Sequence, residues 1–133
     1  MDSSQLEAKY HIYVVSDATG QTAETVPLAA LSQFQKKNVT ISKIRNVRTE
    51  AQLLRIIQEV AQVRGLLIHT LVSEQLREVV HAEAKKLGLF TVDLIGPLLS
   101  TLTTFIGRPP QAKPGLIHQI DELYFQRIDA IDF

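Results

Sequence analysis

Apolar and polar positions follow two spacings along the chain, and these predict strands that alternate with helices. Residues 10–16 alternate and then run apolar, which indicates a first strand, and residues 39–44 indicate a second. Residues 66–68 form a short continuous apolar run, typical of a strand that is covered on both faces. Residues 89–94 predict a fourth strand.

The interval between the first two strands, residues 22–35, has the apolar spacing of a helix. Proline is tolerated in a helix within the first turn, so Pro27 leads us to expect that this helix begins near Ala23 or Glu24. Its expected apolar positions are Val26, Ala29, Ala30 and Phe34.

Three further helices carry local start or stop signals. Thr49 and Gln52 form a capping-box signature, in which each side chain bonds a backbone N–H of the other residue. Ser73 is expected to cap a third helix, and Gly88 to end it. Gly-Pro at the start of residues 96–106 opens a short fourth helix.

Strand–helix alternation repeated four times predicts an α/β fold, a Rossmann-like parallel sheet of about four strands with flanking helices. We expect residues 1–9 to be a disordered tail and residues 10–106 to form the α/β domain. Residues 107–115 contain three prolines and are expected to be an exposed connector. The order of the strands is not determined by this pattern.

The last segment, residues 116–133, repeats apolar residues three and four positions apart, as an amphipathic helix does. No glycine, lysine or proline ends the pattern, so we expect the helix to lead into a second domain outside this chain. Tyr124 and Phe125 point about 100° apart on a helix, so one is expected to pack inward and the other to meet that domain or a second subunit. The repeating apolar residues are Ile117, Ile120, Tyr124, Ile128 and Ile131.

Composition narrows the class of protein. Lys+Arg and Asp+Glu both number 14, so no basic excess favours a nucleic-acid partner. The chain has no cysteine, which excludes disulfides and thiolate metal sites. No apolar run reaches the roughly 18 residues of a membrane span. The N-terminus is polar and does not have the pattern of a signal peptide. A cytoplasmic protein that binds neither nucleic acid nor membrane is expected.

In parallel sheets, ligands bind outside the carboxyl ends of the strands, where the chain places hydroxyl, basic, acidic and imidazole side chains. These residue types suit a phosphate or a phosphorylated group. The candidate residues for a phosphate- and target-binding cleft are Ser16, Asp17, Thr19, Gly20, Thr22, Arg45, Arg48, His69, Thr70, Ser73 and Asp93.

The loop after the first strand allows two interpretations. Its small residues would let backbone N–H groups at the helix start face an anion. Alternatively, Asp17 or Thr19 only caps the helix and Gly20 only turns the chain. The loop lacks the Lys-Ser/Thr pair of a P-loop and has a single glycine, so it matches neither the P-loop nor the dinucleotide fingerprint. Asp17 could also hold Mg²⁺ or act as a base. A receiver domain would likewise place an acid near this position. However, this chain lacks the pair of adjacent acids after the first strand and the lysine after the fourth strand that a receiver domain would have.

Other candidates also have a structural interpretation. A histidine after a buried strand, such as His69, is more often satisfied by neighbouring backbone or hydroxyl groups than used in chemistry. The histidines show no metal-ligand spacing, so no metal site is expected. Arg45 and Arg48 could clamp a phosphate, yet such a pair more often lies in solvent beside acids, here Glu50.

Four segments together resemble the pyruvate, phosphate dikinase and phosphoenolpyruvate synthase regulatory proteins. The resemblance runs in order from about residue 10 to the last residue. Ala18 and Gln21 depart from the Ser and Glu of many relatives, which removes a hydroxyl and a carboxylate from the first loop. The segments are Val-Ser-Asp-Ala-Thr-Gly-Gln-Thr-Ala-Glu at 15–24, His-Thr-Leu-Val-Ser at 69–73, Val-Asp-Leu-Ile-Gly-Pro-Leu-Leu at 92–99, and 114–133 with its Tyr-Phe pair.

The resemblance implies a bifunctional serine/threonine kinase and phosphotransferase. Such an enzyme phosphorylates a threonine of the dikinase or synthase with ADP as donor, and removes that phosphate with inorganic phosphate, releasing pyrophosphate. The family's P-loop-like nucleotide motif lies C-terminal to the Tyr-Phe helix, so the catalytic residues have no counterpart in this chain. The chain alone is therefore expected to be inactive, and the whole protein is expected to be a homodimer. The resemblance does not determine whether the protein binds Mg²⁺.

A second hypothesis belongs to another class. The domain would be a noncatalytic module for phosphate or target binding and for dimerisation, with the first loop serving as a helix cap. Ligand titration together with the mass of the protein in solution would separate the two.

Overall fold

A computed structural model describes residues 9–34 and 38–114 of the chain. Strands and helices alternate through these residues, and every neighbouring strand pair is parallel. The strands are β1 (Tyr10–Val15), β2 (Val39–Ile44), β3 (Leu66–His69) and β4 (Phe90–Asp93). The helices are α1 (Gln21–Leu31), α2 (Glu50–Val63), α3 (Glu74–Leu87) and α4 (Gly96–Ile106). The predicted α/β class and parallel sheet are confirmed.

The strand order is β2-β1-β3-β4. The chain passes from β1 to β2 on one side and then crosses back to place β3 on the other side of β1. This reversal creates a switch point between β1 and β3, where Val15 lies in register with His69. In open α/β sheets the crevice at such a point is where ligands bind.

The sheet has an apolar core on each face. Tyr13, Val15 and Leu67 point toward α2 and α3, whose buried residues include Leu53 and Val80. Ile12, Val14 and Ile68 alternate with them and point toward α1, where they pack with Ala23. This strict alternation follows from the period of two in a strand.

The predicted limits of α2 and α3 are confirmed. Thr49 Oγ1 accepts a hydrogen bond from the Gln52 N–H at 3.2 Å, and Gln52 Oε1 accepts one from the Thr49 N–H at 3.1 Å. Ser73 Oγ accepts a hydrogen bond from the Leu76 N–H at 3.2 Å, and Gly88 ends α3 at a φ of 68°. Local side-chain chemistry therefore sets where these helices begin or end.

The prediction for α1 was wrong in two respects. The helix begins at Gln21, because Gly20 at φ 85° turns the chain directly into it, and Pro27 consequently lies inside the helix. Its buried residues are Ala23 and Pro27, whereas Val26 is 45% exposed. Pro27 has no N–H to donate to the Ala23 carbonyl, yet the helix continues through it, and Pro27 is one of the two residues that the helix buries.

Two expectations fall wholly or mostly on residues outside the described ranges. These are the tail over residues 1–9, of which only Lys9 is described, and the amphipathic helix over 116–133. The proposed domain boundaries stay predictions. Within residues 9–34 and 38–114, no helix is long and apolar enough to cross a membrane.

Candidate functional site

A cavity of about 330 Å³ lies at the switch point of the sheet. One side is the β1–α1 loop, residues 16–22, together with Thr70 and Val72 after β3. Ile95 and Leu99, at the start of α4, and residues 110–113 of the connector complete its lining. The cavity therefore joins segments that are far apart in the sequence.

Asp17 is the acidic residue that lines this cavity, and its side chain is buried. Its Oδ2 accepts a hydrogen bond from the Val72 N–H at 2.8 Å, which links the end of β1 to the loop after β3. Burial raises the pKa of the Asp17 carboxyl, while hydrogen bonds from the N–H groups of Val72 and Ser73 and the charge of Arg48 oppose the rise. Asp17 is thus held in a fixed position in an environment that favours its neutral form.

The turn into α1 is built by backbone conformation. Gly20 is the N-cap residue of α1, and a glycine offers no side chain to cap the first turn. Ser16 Oγ instead accepts a hydrogen bond from the Ala18 N–H at 3.0 Å, which tightens the loop. Gln21 and Thr22 line the cavity at the first turn of the helix, where the helix dipole contributes positive potential.

The two arginines after β2 do not line the cavity. Arg45 Nε and Nη2 each donate to a carboxylate oxygen of Glu24 at 2.7 Å, and this hydrogen bonding lowers the pKa of Glu24. The prediction that Glu50 is the acidic partner was wrong, because the acid that pairs with Arg45 lies on α1 and not in the neighbouring turn. Arg48 Nε donates to the carbonyl of Asp17 and so holds the backbone of the β1–α1 loop.

His69, the last residue of β3, is buried and does not line the cavity. Its Nδ1 accepts a hydrogen bond from the Leu71 N–H at 3.4 Å. Burial lowers the pKa of His69, opposed by the charge of Asp93 and assisted by that of Arg77. The structural interpretation of this histidine, satisfied by neighbouring backbone, agrees with this geometry.

Arg77 and Asp93 brace the loops around the cavity. Arg77 Nη1 donates to the carbonyls of Leu71 and Val72 at 3.2 and 2.8 Å, and its Nε lies 3.8 Å from Asp93 Oδ2. Asp93 Oδ1 accepts hydrogen bonds from the N–H groups of Ile95 and Gly96 at 3.1 and 2.7 Å. Asp93 therefore fixes the start of α4, as Ser73 fixes that of α3.

The structure divides the sequence-predicted residues into two groups. The residues that line the cavity are Ser16, Asp17, Thr19, Gly20, Thr22 and Thr70. The residues that do not line it, and that instead hydrogen-bond neighbouring helices or loops, are Arg45, Arg48, His69, Ser73 and Asp93.

Sequence reasoning missed Gln111 and Lys113, which line the cavity from the connector. Lys113 is the one basic residue among the lining residues. A lysine in a proline-rich connector was the available signal, but only the fold shows that the connector returns to the edge of the sheet. Lys113 supplies the positive charge that the first loop lacks.

The lining can serve two chemical purposes. Hydroxyl groups, the first turn of α1 and the Lys113 ammonium can receive an oxyanion. Val72, Ile95 and Leu99 form an apolar wall that can hold an uncharged part of the same ligand. No group of three or more His, Asp or Glu residues within 9–34 and 38–114 is placed to hold a metal ion.

Fold and cavity together define an α/β protein of the doubly wound type with a ligand-sized cavity at its switch point. The family model described as Kinase/pyrophosphorylase matches residues 12–133, and the chain belongs to this family. The family resemblance seen in the sequence is thereby confirmed.

Three relatives carry the name pyruvate, phosphate dikinase regulatory protein. The protein of Geobacter sulfurreducens is 42% identical over 92% of this chain and 46% of its own length. Those of Bdellovibrio bacteriovorus and Trichlorobacter lovleyi are both 44% identical, over 93% and 92% of this chain and 44% and 45% of their own lengths. The chain thus spans about half the length of the curated relatives it matches.

Proposed function

We propose that this chain is the N-terminal part of a bifunctional enzyme that phosphorylates a threonine of pyruvate, phosphate dikinase or phosphoenolpyruvate synthase. ADP would donate its terminal phosphoryl group to the threonine hydroxyl and leave as AMP. In the reverse direction, inorganic phosphate would take the phosphoryl group from the phosphothreonine and leave as pyrophosphate. The match of nearly the whole chain to the kinase/pyrophosphorylase family carries this proposal. The names of the relatives support a dikinase target.

We assign the cavity to the phosphoryl-accepting threonine of the target rather than to the nucleotide. Its oxyanion-receiving side combines Thr19, Thr22 and the start of α1 with Lys113. Its apolar wall would hold the aliphatic part of the threonine and its peptide neighbours. A phosphothreonine carries up to two negative charges, so a single ammonium and the helix dipole would stabilise it without a P-loop.

In this division of work, the N-terminal part positions the target and the remainder of the protein supplies the nucleotide site and the catalytic groups. Asp17 would orient the threonine hydroxyl from the cavity wall, because its carboxylate is fixed by Val72. Binding of the reacting groups in a fixed geometry accounts for a large share of phosphoryl-transfer catalysis.

The test uses the full-length protein with the dikinase, ADP and inorganic phosphate in both directions. Lys113→Met should lower kcat/KM for the phosphorylated target by at least tenfold, with circular dichroism unchanged. Lys85→Met is the matched control, because Lys85 is exposed in the last turn of α3. Equal rates for wild type and Lys113→Met would overturn the assignment of the cavity.

We also propose that the whole protein is a cytoplasmic homodimer. The mass of the full-length protein in solution, measured by light scattering over a range of concentrations, tests the dimer. A monomer at micromolar concentration would contradict it.

A noncatalytic binding and dimerisation module is the second candidate. The exposed apolar side chains of Phe90, Phe105 and Ile106 favour it, since such groups commonly mark interaction surfaces. A stable dimer that binds neither ADP nor phosphate in calorimetry, and a full-length protein without phosphotransfer, would select this candidate.

A further inference from the structure

Three consecutive backbone carbonyls of the β1–α1 loop face the loop that joins β2 to α2. Each of them accepts a hydrogen bond there, the outer two from backbone N–H groups and the middle one from a side chain. The bonds run from the Asn46 N–H to Ala18 at 3.0 Å, from the Val47 N–H to Ser16 at 2.9 Å, and from Arg48 Nε to Asp17. The three donor residues do not line the cavity, so these carbonyl oxygens point to a different side of the loop.

The direction of these carbonyls matters for an anion in the cavity. A carbonyl oxygen carries partial negative charge and would repel a phosphoryl oxygen close to it. In a trans peptide the N–H points away from the C=O, so binding the three carbonyls on one side turns the N–H groups of the same peptide units to the other. The loop between β2 and α2 thus favours a wall that receives an oxyanion.

Arg48 makes the one of these three bonds that comes from a side chain, and its own backbone is anchored independently. The Arg48 N–H donates to Oε1 of Gln52, in the capping box of α2, at 2.9 Å. The preceding residue, Val47, is buried in the core together with Leu53. A substitution of Arg48 can therefore remove the bond to the Asp17 carbonyl while the two backbone bonds stay in place.

We infer that Arg48 is a positioning residue for phosphoryl transfer, and this inference rests on the proposed function. By holding the Asp17 carbonyl, Arg48 fixes the backbone from which the Asp17 carboxylate reaches the Val72 N–H. Asp17 orients the threonine hydroxyl in the proposed mechanism. Arg48 consequently acts on the reaction through Asp17 and does not touch the substrate.

Two substitutions at this position differ mainly in the hydrogen bond. Arg48→Gln keeps a donor, because the Nε2 of glutamine is as many bonds from Cα as the Nε of arginine. Arg48→Met places a methyl group at the same point. Both variants lose the charge, so a difference between them reports the bond alone. Arg55→Met is the matched control, since Arg55 is exposed on α2.

Kinetics of the full-length protein with the dikinase and ADP give the first test. Arg48→Met should lower kcat at least tenfold, with KM for the dikinase changed less than about twofold, whereas Arg48→Gln and Arg55→Met should stay within about threefold of wild type. In a protein that already carries Asp17→Asn, Arg48→Met should have little further effect, because both changes act on the same group.

Three kinetic results would overturn the inference. Equal kcat in wild type and Arg48→Met would show that the bond is not needed. Equal losses in Arg48→Gln and Arg48→Met would assign the effect to the charge. A raised KM at unchanged kcat would mean that Arg48 contacts the target directly.

Hydrogen exchange separates a failure of this inference from a failure of the proposed function. Exchange of the Val72 amide, followed by NMR, should be at least fivefold faster in Arg48→Met than in Arg48→Gln, because a loosened Asp17 releases that amide. Equal exchange in the two variants, with unchanged circular dichroism, would show that Arg48 does not hold Asp17, whatever the activity. A wild-type protein without phosphotransfer would refute the proposed function, and with it the part of Arg48 in catalysis.

Discussion

Asp17 and Val72 are joined by a hydrogen bond of 2.8 Å between the carboxylate and the backbone N–H, although 55 positions separate them in the sequence. The bond closes the switch point between β1 and β3 at the wall of the cavity. Since burial raises the pKa of Asp17, the charged carboxylate at neutral pH lowers the stability of the fold. A buried acid retained at such a cost is a common property of functional sites.

Asp17→Asn should therefore raise the stability of the fold and lower the activity of the full-length protein. The amide oxygen can still accept the Val72 hydrogen bond, and no charge is buried, so the free energy of unfolding at pH 7 should rise by about 1 kcal/mol. The turnover of the full-length protein should fall. Denaturant unfolding of the chain and a phosphotransfer assay of the whole protein give the two measurements.

The gain in the free energy of unfolding of Asp17→Asn should disappear in acid. Lowering the pH through the raised pKa protonates Asp17 in the folded state, so that a neutral side chain is then buried in both the wild type and the variant. A lower stability for Asp17→Asn at pH 7 would show that the carboxylate is a net stabilising group.

The burial of His69 leads us to expect a second pH dependence of the free energy of unfolding. Its pKa is lowered in the folded state, so the unfolded chain binds more protons as the pH falls below the ordinary value of 6.5. The free energy of unfolding should consequently decrease between about pH 7 and pH 5. His69→Asn keeps an acceptor for the Leu71 N–H and should flatten this part of the curve, measured by urea unfolding at a series of pH values. An identical slope in wild type and variant would contradict it.

Gly20→Ala is expected to be more destabilising than Gly88→Ala, because Gly20 combines a positive φ with a close contact to Glu24. A Cβ at Gly20 would lie 2.3 Å from Glu24 Oε2 and 3.1 Å from Arg45 Cγ, whereas a Cβ at Gly88, also at positive φ, would meet nothing within 4 Å. Gly88→Ala should thus cost about 1 kcal/mol for backbone conformation alone. Gly20→Ala should cost more, because the Glu24–Arg45 pair must also move.

Thermal unfolding of the two variants gives the comparison. Equal losses would mean that the ion pair rearranges freely and that the steric contact at Gly20 is unimportant.

The Thr49 capping box offers a test of local stability away from the cavity. Thr49→Ala removes the acceptor of the Gln52 N–H bond and should reduce the free energy of unfolding by about 1 kcal/mol. Thr49→Ser keeps the hydroxyl and should retain most of the stability. If Ala and Ser behaved alike in denaturant unfolding, the capping hydrogen bond would contribute little.

Features that depend on neighbours in the sequence were predictable, and features that depend on the fold were not. The capping box at Thr49 and the limits of α3 follow from a few adjacent residues, so the pattern identified them. The pairing of Arg45 with Glu24 and the return of Lys113 to the sheet edge depend on tertiary structure. The start of α1 was misplaced because the helix continues through the buried Pro27 instead of beginning within one turn of it.

The loop after β3 contains one peptide unit that is held from both ends. The carbonyl of Leu71 accepts from Arg77 at 3.2 Å, and the N–H of the same unit, on Val72, donates to Asp17 at 2.8 Å. The dipole of this peptide thus lies between a guanidinium and a carboxylate, each at the end that it favours, and the two bonds polarise one another. Rotation of this peptide plane would break both bonds together, so a change of charge at Asp17 should be felt by Arg77 on α3.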